Sequence, residues 1–367
     1  MRPSTLMRIM IVTDAWFPQT NGVVRTLAQT ADWLARFGHE VRMLTPRDFR
    51  SIGCPTYPEI RLSLLPRKLV ERSIDEFSPQ ALHIATEGPL GLAARRHCLR
   101  RQLRFTTSYH TQFPQYLRAR FPIPLAVSYR ALHWFHGAAV RCMVSTPSLR
   151  KELEGRGFKN LAGWRRGVDT QLFKPGAKDF LSLPRPIAAY VGRVAVEKNV
   201  EAFLSMRWEG TKIVIGDGPE RARLQALYPQ AVFMGFRFAE DLAAHLAAAD
   251  VMVFPSLTDT FGLVNLEAMA CGVPVAAYPV NGPIDVIEDG VTGALDHDLE
   301  KAARRALVLD PKACRENAVR CGWDESAREF EGNLVACHSN HSPRRGAWPA
   351  EPAQEVGAGA TAGVGSR

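Results

Sequence analysis

The sequence predicts a two-domain α/β protein built on parallel sheets, and three observations carry that expectation. Residues 251–255 form a short apolar, β-rich run; a polar break at 256–260, a helical stretch at 263–271 and a second strand at 275–278 follow. Strand, turn, helix and strand make a βαβ unit, which favours a parallel sheet. The chain has 367 residues, enough for two full cores. Finally, WRRGVDTQLFKPG at 164–176 combines Gly and Pro with a change in the sign of the charge, as expected at a domain boundary.

Composition narrows the class. With 46% hydrophobic and 23% charged residues the chain reads as globular. No apolar run approaches the roughly 18–20 residues of a membrane-spanning helix, and residues 1–7 form a ragged leader without a signal-peptide pattern. The seven cysteines are scattered and odd in number, so the sequence predicts reduced thiols and a cytoplasmic protein. Of 46 Lys and Arg, 26 lie in residues 1–168 with 11 of the 37 acidic residues, giving that half +15 and the remainder −6. A basic half joined to an acidic half points to an anionic partner surface, either nucleic acid or membrane.

In chain order, RIMIVT from Arg8 is a buried strand. The loop after Asp14 leads to Asn21-Gly22, which opens a helix running to about Phe37, and HEVRMLTP is the next strand. The amides at that helix start either meet an anion or form a simple turn. Residues 82–85 and 105–108 are further strands, and the second ends in Tyr109-His110-Thr111, placing His110 where α/β proteins put ligand sites. ARRHCLRRQLR at 94–104 carries Arg95, Arg96, Arg100, Arg101 and Arg104, most of them on one broad helical face. Residues 116–134 mix Phe121, Leu125, Tyr129, Leu132 and Trp134 with Arg118, Arg120 and Arg130, as an interfacial membrane helix does or as a partly buried connector does.

The second half opens with the strand IAAYVGRV. Arg193 and Lys198 flank the turn into the next helix, where two cations suit a diphosphate. Gly216-Asp217-Gly218 begins a dinucleotide fingerprint, but Arg221 stands where its third glycine belongs, which argues against a nicotinamide cofactor. Residues 232–235 are a strand ending at Phe236-Arg237-Phe238, and an Ala-rich helix covers 239–249. Asp296-His297-Asp298 precedes the helix LEKAARRAL; capping accounts for it, and no metal is assigned. Helices around Arg315 and over 323–334 close the pattern, and beyond Cys337 the Pro-, Gly- and Ala-rich tail reads as disordered.

The chemistry concentrates at 259–267. Gly262 lets backbone approach a ligand, and the unpaired amides of Phe261, Gly262, Leu263 and Val264 form a helix N-terminus suited to phosphate. Asp259 and Glu267 suit sugar hydroxyls, and a Glu267 flanked by apolar residues needs a partner if buried. These two acids enclose Phe261-Gly262 and continue into EAMACGVP, a string that resembles the signature of retaining glycosyltransferases of family four. That family usually has Glu where this chain has Asp259. GVDTQLFKP is similar to the family's interdomain linker, SYHTQFPQY to its sugar-facing histidine, and GRVAVEKN to its diphosphate-neutralising Arg/Lys pair.

The resemblance covers residues 8–335. It implies the GT-B fold: an acceptor- and membrane-facing Rossmann-like domain at 8–165, a linker at 166–176, a nucleotide-sugar domain at 177–321, a crossover helix at 322–337 and a tail at 338–367. It implies Gly22, Arg193, Lys198, Arg237, residues 261–264 and Glu267 on the donor, with His110 and Asp259 orienting the sugar. The expected function is retaining transfer of a hexose from a UDP- or GDP-sugar to a membrane lipid such as diacylglycerol, without a metal cofactor. The expected place is the inner membrane face, contacted through Arg95, Arg96, Arg100, Arg101 and Trp134. GDP-mannose-dependent mannosyl transfer to another acceptor is the alternative. A basic nucleic-acid-binding protein is the alternative of another class; it leaves Asp259, Glu267, Arg193 and Lys198 without a role.

Overall fold

The computed structural model describes residues 6–19, 21–54, 57–120 and 123–338. Its strands are β1 (Arg8–Val12), β2 (Glu40–Leu44), β3 (Ser51–Cys54), β4 (Tyr57–Ser63), β5 (Ala81–Ile84), β6 (Thr106–Tyr109), β7 (Arg141–Val144) and β8 (Leu161–Gly163) in the first half. The second half holds β9 (Ile187–Val191), β10 (Thr211–Ile215), β11 (Val232–Gly235), β12 (Val251–Phe254), β13 (Val275–Ala277) and β14 (Gly293–Leu295). They make two six-stranded sheets, ordered β2-β1-β5-β6-β7-β8 and β11-β10-β9-β12-β13-β14, with parallel neighbours throughout. The hairpin β3–β4 stands apart and is antiparallel. Helices cover both faces, so central strands are buried on both sides and read as unbroken apolar runs: Ile9, Met10, Ile11 and Val12 are all fully buried.

Counted within itself, the second sheet has the order 3-2-1-4-5-6. Its topological switch point lies between β9 and β12, where loops diverge and leave a crevice. The loop after β9 carries Arg193 and Lys198, and the loop after β12 carries Asp259, so the fold brings the two segments together. The expected βαβ unit is present, with the Leu263–Ala270 helix joining parallel β12 and β13.

The segment expected to be the interdomain linker is held firmly. Val168 pairs with Gly322, and Arg315 donates to the carbonyls of Thr170, Phe173 and Ala270. The Trp323–Asn333 helix returns to the first sheet. Phe330 packs at a tilt against the fully buried Trp164, and Glu331 reaches His39 at 3.1 Å. Ala336 then bridges to Ala81 at the start of β5.

One expectation changes, and the burial of Tyr129 and Leu132 favours the partly buried connector. The aromatic stretch 116–134 is not one interfacial helix: Phe113–Arg120 and Leu125–His136 are separate helices, the second starting after Pro124. Tyr129 and Leu132 are buried, because the Tyr129 hydroxyl bonds Gln115 and Glu152 and the ring packs into the core. Phe121, the Tyr116 and Arg120 side chains, and the expected disordered tail from 339 onward lie outside the described residues.

Candidate active site

The second sheet supplies a pair of acids and a pair of cations. Lys198 closes a short 3-10 turn after β9, and its ammonium donates to Asp259 Oδ1 at 2.6 Å. Arg193 is half-buried on the same loop, its carbonyl fixed by the Tyr190 hydroxyl at 2.6 Å. Lys198 thus sits on the acid expected to meet the sugar; with three N–H donors it can serve that carboxylate and a phosphate together. Asp259 Oδ2 is buried without a hydrogen-bond partner.

The Leu263–Ala270 helix begins at Gly262, whose φ of +80° is the left-handed conformation glycine tolerates. A Cβ there would stand 2.6 Å from Asn265 Nδ2 and 2.9 Å from Phe254 Cζ. No side chain caps this helix, so the amides at its start face the crevice with the positive end of the helix dipole. Glu267 is 3% exposed, as its apolar neighbours predict. Its Oε1 is held by Arg25 from the first half, and its Oε2 has no partner.

The first half closes over this crevice. Gly22 faces the Leu263 side chain, to which a Cβ at Gly22 would approach within 3.4 Å. Asn21 Oδ1 accepts from the amides of Val23 and Val24 at 3.0 Å each, so those two amides are spent on capping rather than on an anion. Thr260 is clasped at both ends: its hydroxyl donates to the His110 carbonyl at 2.7 Å, and its carbonyl accepts from the Ser145 hydroxyl at 2.9 Å. At the rim, Asn281 donates to Glu152 at 2.7 Å and Ser148 meets Asp285.

His110 lies at the end of β6 beside Trp164, with both ring nitrogens engaged. Ser108 Oγ is 2.7 Å from Nε2, and Arg166 Nη2 is 3.3 Å from Nδ1. An arginine only donates, so Nδ1 accepts and Nε2 carries the proton. Burial, then the charge of Arg166, holds the ring well below the usual histidine range. Arg166 is itself buried. It donates to the Trp164 carbonyl at 2.7 Å and lies 4.1 Å above the Trp164 ring; among the described residues no carboxylate pairs with it, and burial pulls it down to about 9. Near the same strand ends, Asp14 accepts from the amides of Leu90 and Gly91, and burial pushes it up to about 6.

The glycosyltransferase family 4 model matches residues 20–172, and the glycosyl transferases group 1 model matches residues 185–309. The GDP-mannose-dependent alpha-mannosyltransferase of Mycobacterium tuberculosis is 30% identical over 90% of this chain and 97% of that protein. The chain is a family 4 glycosyltransferase. The alpha-monoglucosyldiacylglycerol synthase of Streptococcus pneumoniae is 26% identical over 88% of this chain and 83% of its own. Sucrose-phosphate synthase from Thermosynechococcus elongatus superposes with a TM-score of 0.71 at 22% identity, covering 89% of this chain and 97% of that one. The fold is therefore GT-B, with one Rossmann-like sheet on each side of the cleft. The enzyme is a retaining hexosyltransferase.

In this glycosyltransferase the basic helix is not the free surface its sequence suggested. Arg95 is buried: it donates to the carbonyls of Trp134 and Phe135 and lies 3.8 Å above the Trp134 ring. Arg100 pairs with Glu71 and Arg101 with Asp75, both on the Arg67–Phe77 helix, which the sequence reading left undescribed. Arg96 and Trp134 are exposed. Arg95 thus packs inside the fold, while Arg96, Arg100 and Arg101 stay on the surface, the last two tied to acids of the neighbouring helix, so the free basic face is smaller than its sequence suggested. Arg237 lies at the rim after β11, bonded to the Phe236 carbonyl and paired with Asp241, beside the exposed, stacked rings of Phe236 and Phe238. Asp298 caps the Leu299–Ala306 helix by accepting from the amides of Glu300 and Lys301.

Sequence reasoning missed Arg25, Arg166, Ser145 and Gly282. The last has a φ of +92°, and a Cβ there would press on Asp259 O at 3.0 Å and Phe261 N at 3.2 Å. No short-range pattern marks these residues, because each acts through a contact more than twenty positions away.

Proposed function

We propose that the enzyme transfers a hexose from a nucleoside diphosphate sugar to a lipid hydroxyl at a membrane surface. GDP-mannose stands first among donors and UDP-hexoses second; diacylglycerol stands first among acceptors. One observation carries the reading: two acids, the half-buried Asp259 and the buried Glu267, each hold a cation with one oxygen and keep the other buried and unpartnered. Such oxygens accept from hydroxyl groups, and a sugar nucleotide offers hydroxyls on both its hexose and its ribose.

In this reading Asp259 takes the hexose hydroxyls and Glu267 the ribose. His110 faces the sugar with its ring set by Ser108 and Arg166. Negative charge develops on the departing diphosphate as the glycosidic bond breaks, and Arg193, Lys198 and the amides at the Leu263 helix start stabilise it without a metal ion. The acceptor hydroxyl attacks from the face the diphosphate leaves and gives its proton to the departing phosphate oxygen, so the new glycosidic bond keeps the anomeric configuration. Among the described residues no helix is long and apolar enough to cross a membrane. The relatives' names favour GDP-mannose as donor and diacylglycerol as acceptor.

The test is an assay of the full chain with GDP-mannose and a set of UDP-hexoses, in the presence of membrane lipid extract. A hexosyl lipid that keeps the donor's anomeric configuration is expected. Turnover only with water-soluble acceptors, or with no sugar nucleotide, would contradict the reading.

A further inference from the structure

We propose that Arg25 is a positioning residue of the donor site, supplied by the acceptor-side half. It holds one oxygen of Glu267, so that the other is presented to the ribose of a nucleoside diphosphate. This rests on the donor reading above and adds a residue from the opposite side of the cleft.

Arg25 lies one turn inside the Gly22–Arg36 helix, whose first residue faces Leu263 at the start of the Glu267 helix. Its side chain is 43% exposed whereas that of Glu267 is 4% exposed, so a partly solvated cation reaches a buried anion. The Arg25 guanidinium is the only side-chain partner of the Glu267 carboxylate among the described residues, and Oε2 is left without one. A buried carboxylate is costly unless its charge is matched and its oxygens are hydrogen-bonded. The sheet that owns Glu267 does not satisfy it; the facing half does so halfway. What remains is an acceptor that calls for a neutral O–H donor, since one cation already matches the charge. Vicinal ribose hydroxyls have that chemistry. The Thr260 clasp on His110 and Ser145 holds the two halves at the spacing this contact needs.

Arg25 and the ribose are therefore partners on one carboxylate, not competitors for it, and loss of Arg25 weakens the hold on ribose in particular. Calorimetric binding of UDP and GDP, and of their 2′,3′-dideoxy counterparts, to wild type, Arg25→Ala and Arg25→Lys tests this. Arg25→Ala is expected to bind the better ribonucleotide about tenfold more weakly. Its dideoxy counterpart is expected to bind both proteins alike, and Arg25→Lys to recover part of the loss. Equal weakening of the ribo and dideoxy forms would make Arg25 merely structural. Unchanged or tighter ribonucleotide binding in Arg25→Ala would make it a bystander or a competitor; each of these results overturns the proposal while leaving the donor reading intact. If wild type binds neither UDP nor GDP, the donor reading fails and this inference fails with it.

Discussion

At the scale of single residues, the site is a set of charges satisfied halfway. Asp259 holds Lys198 and Glu267 holds Arg25, and each acid keeps one buried oxygen without a partner. His110 is the neutral member. Its folded pKa is lowered, so on acidification below the ordinary value near 6.5 the unfolded chain takes up a proton that the folded ring refuses. Its contribution to stability is thus constant above that pH and falls as the pH goes down through it. Nitrogen NMR of the histidines at pH 6 is expected to show a neutral His110 ring protonated at Nε2. A His110 titration midpoint near 6.5, or a proton on Nδ1, would contradict the Arg166 contact. The acids, His110 and the Arg193/Lys198 pair were legible in the sequence because they fall in contiguous strings at strand ends. Arg166 was visible only as part of a linker, since its meaning lies in a histidine 56 positions away.

At the scale of elements, the Pro89–Arg101 helix shows how a charge pattern misleads. Five arginines on one stretch look like a basic face, but helical spacing cannot tell solvent from a neighbouring helix with acids at matching positions. Arg95 faces inward, and its aliphatic stem and planar head suit the cleft between Trp134 and two carbonyls. Arg95→Ala is expected to destabilise the fold by about 2 kcal/mol, through two charge-assisted hydrogen bonds and a cation–π contact. It should leave binding to anionic vesicles unchanged. Denaturant midpoints and vesicle co-sedimentation check both, and a variant of wild-type stability that loses vesicle binding would restore the membrane patch. Strands and helices of the second half were legible for a physical reason: buried parallel strands give unbroken apolar runs, and Gly272 and Pro274 punctuate the central helix. Pro124 breaks the 116–134 stretch in the same way, although aromatics at helical spacing run on across it.

At the scale of the whole molecule, two sheets meet through a few polar contacts rather than a shared apolar core. Thr260 is fixed to His110 and Ser145, Arg25 to Glu267 and Asn281 to Glu152, so each loop of the second-sheet site is tied to the first half. None of this was legible in the sequence, because it depends on how the two halves face one another. In the proposed mechanism this closed cleft stabilises a departing diphosphate with its own cations. The measurement that tests it most directly is turnover of the best sugar nucleotide by chelator-treated protein, comparing wild type with Lys198→Ala. Wild type is expected to keep its rate in EDTA, and folded Lys198→Ala to lose at least about 100-fold at saturating donor. Loss of wild-type turnover on chelation with recovery on adding Mn²⁺, or near-normal turnover by Lys198→Ala, would contradict it.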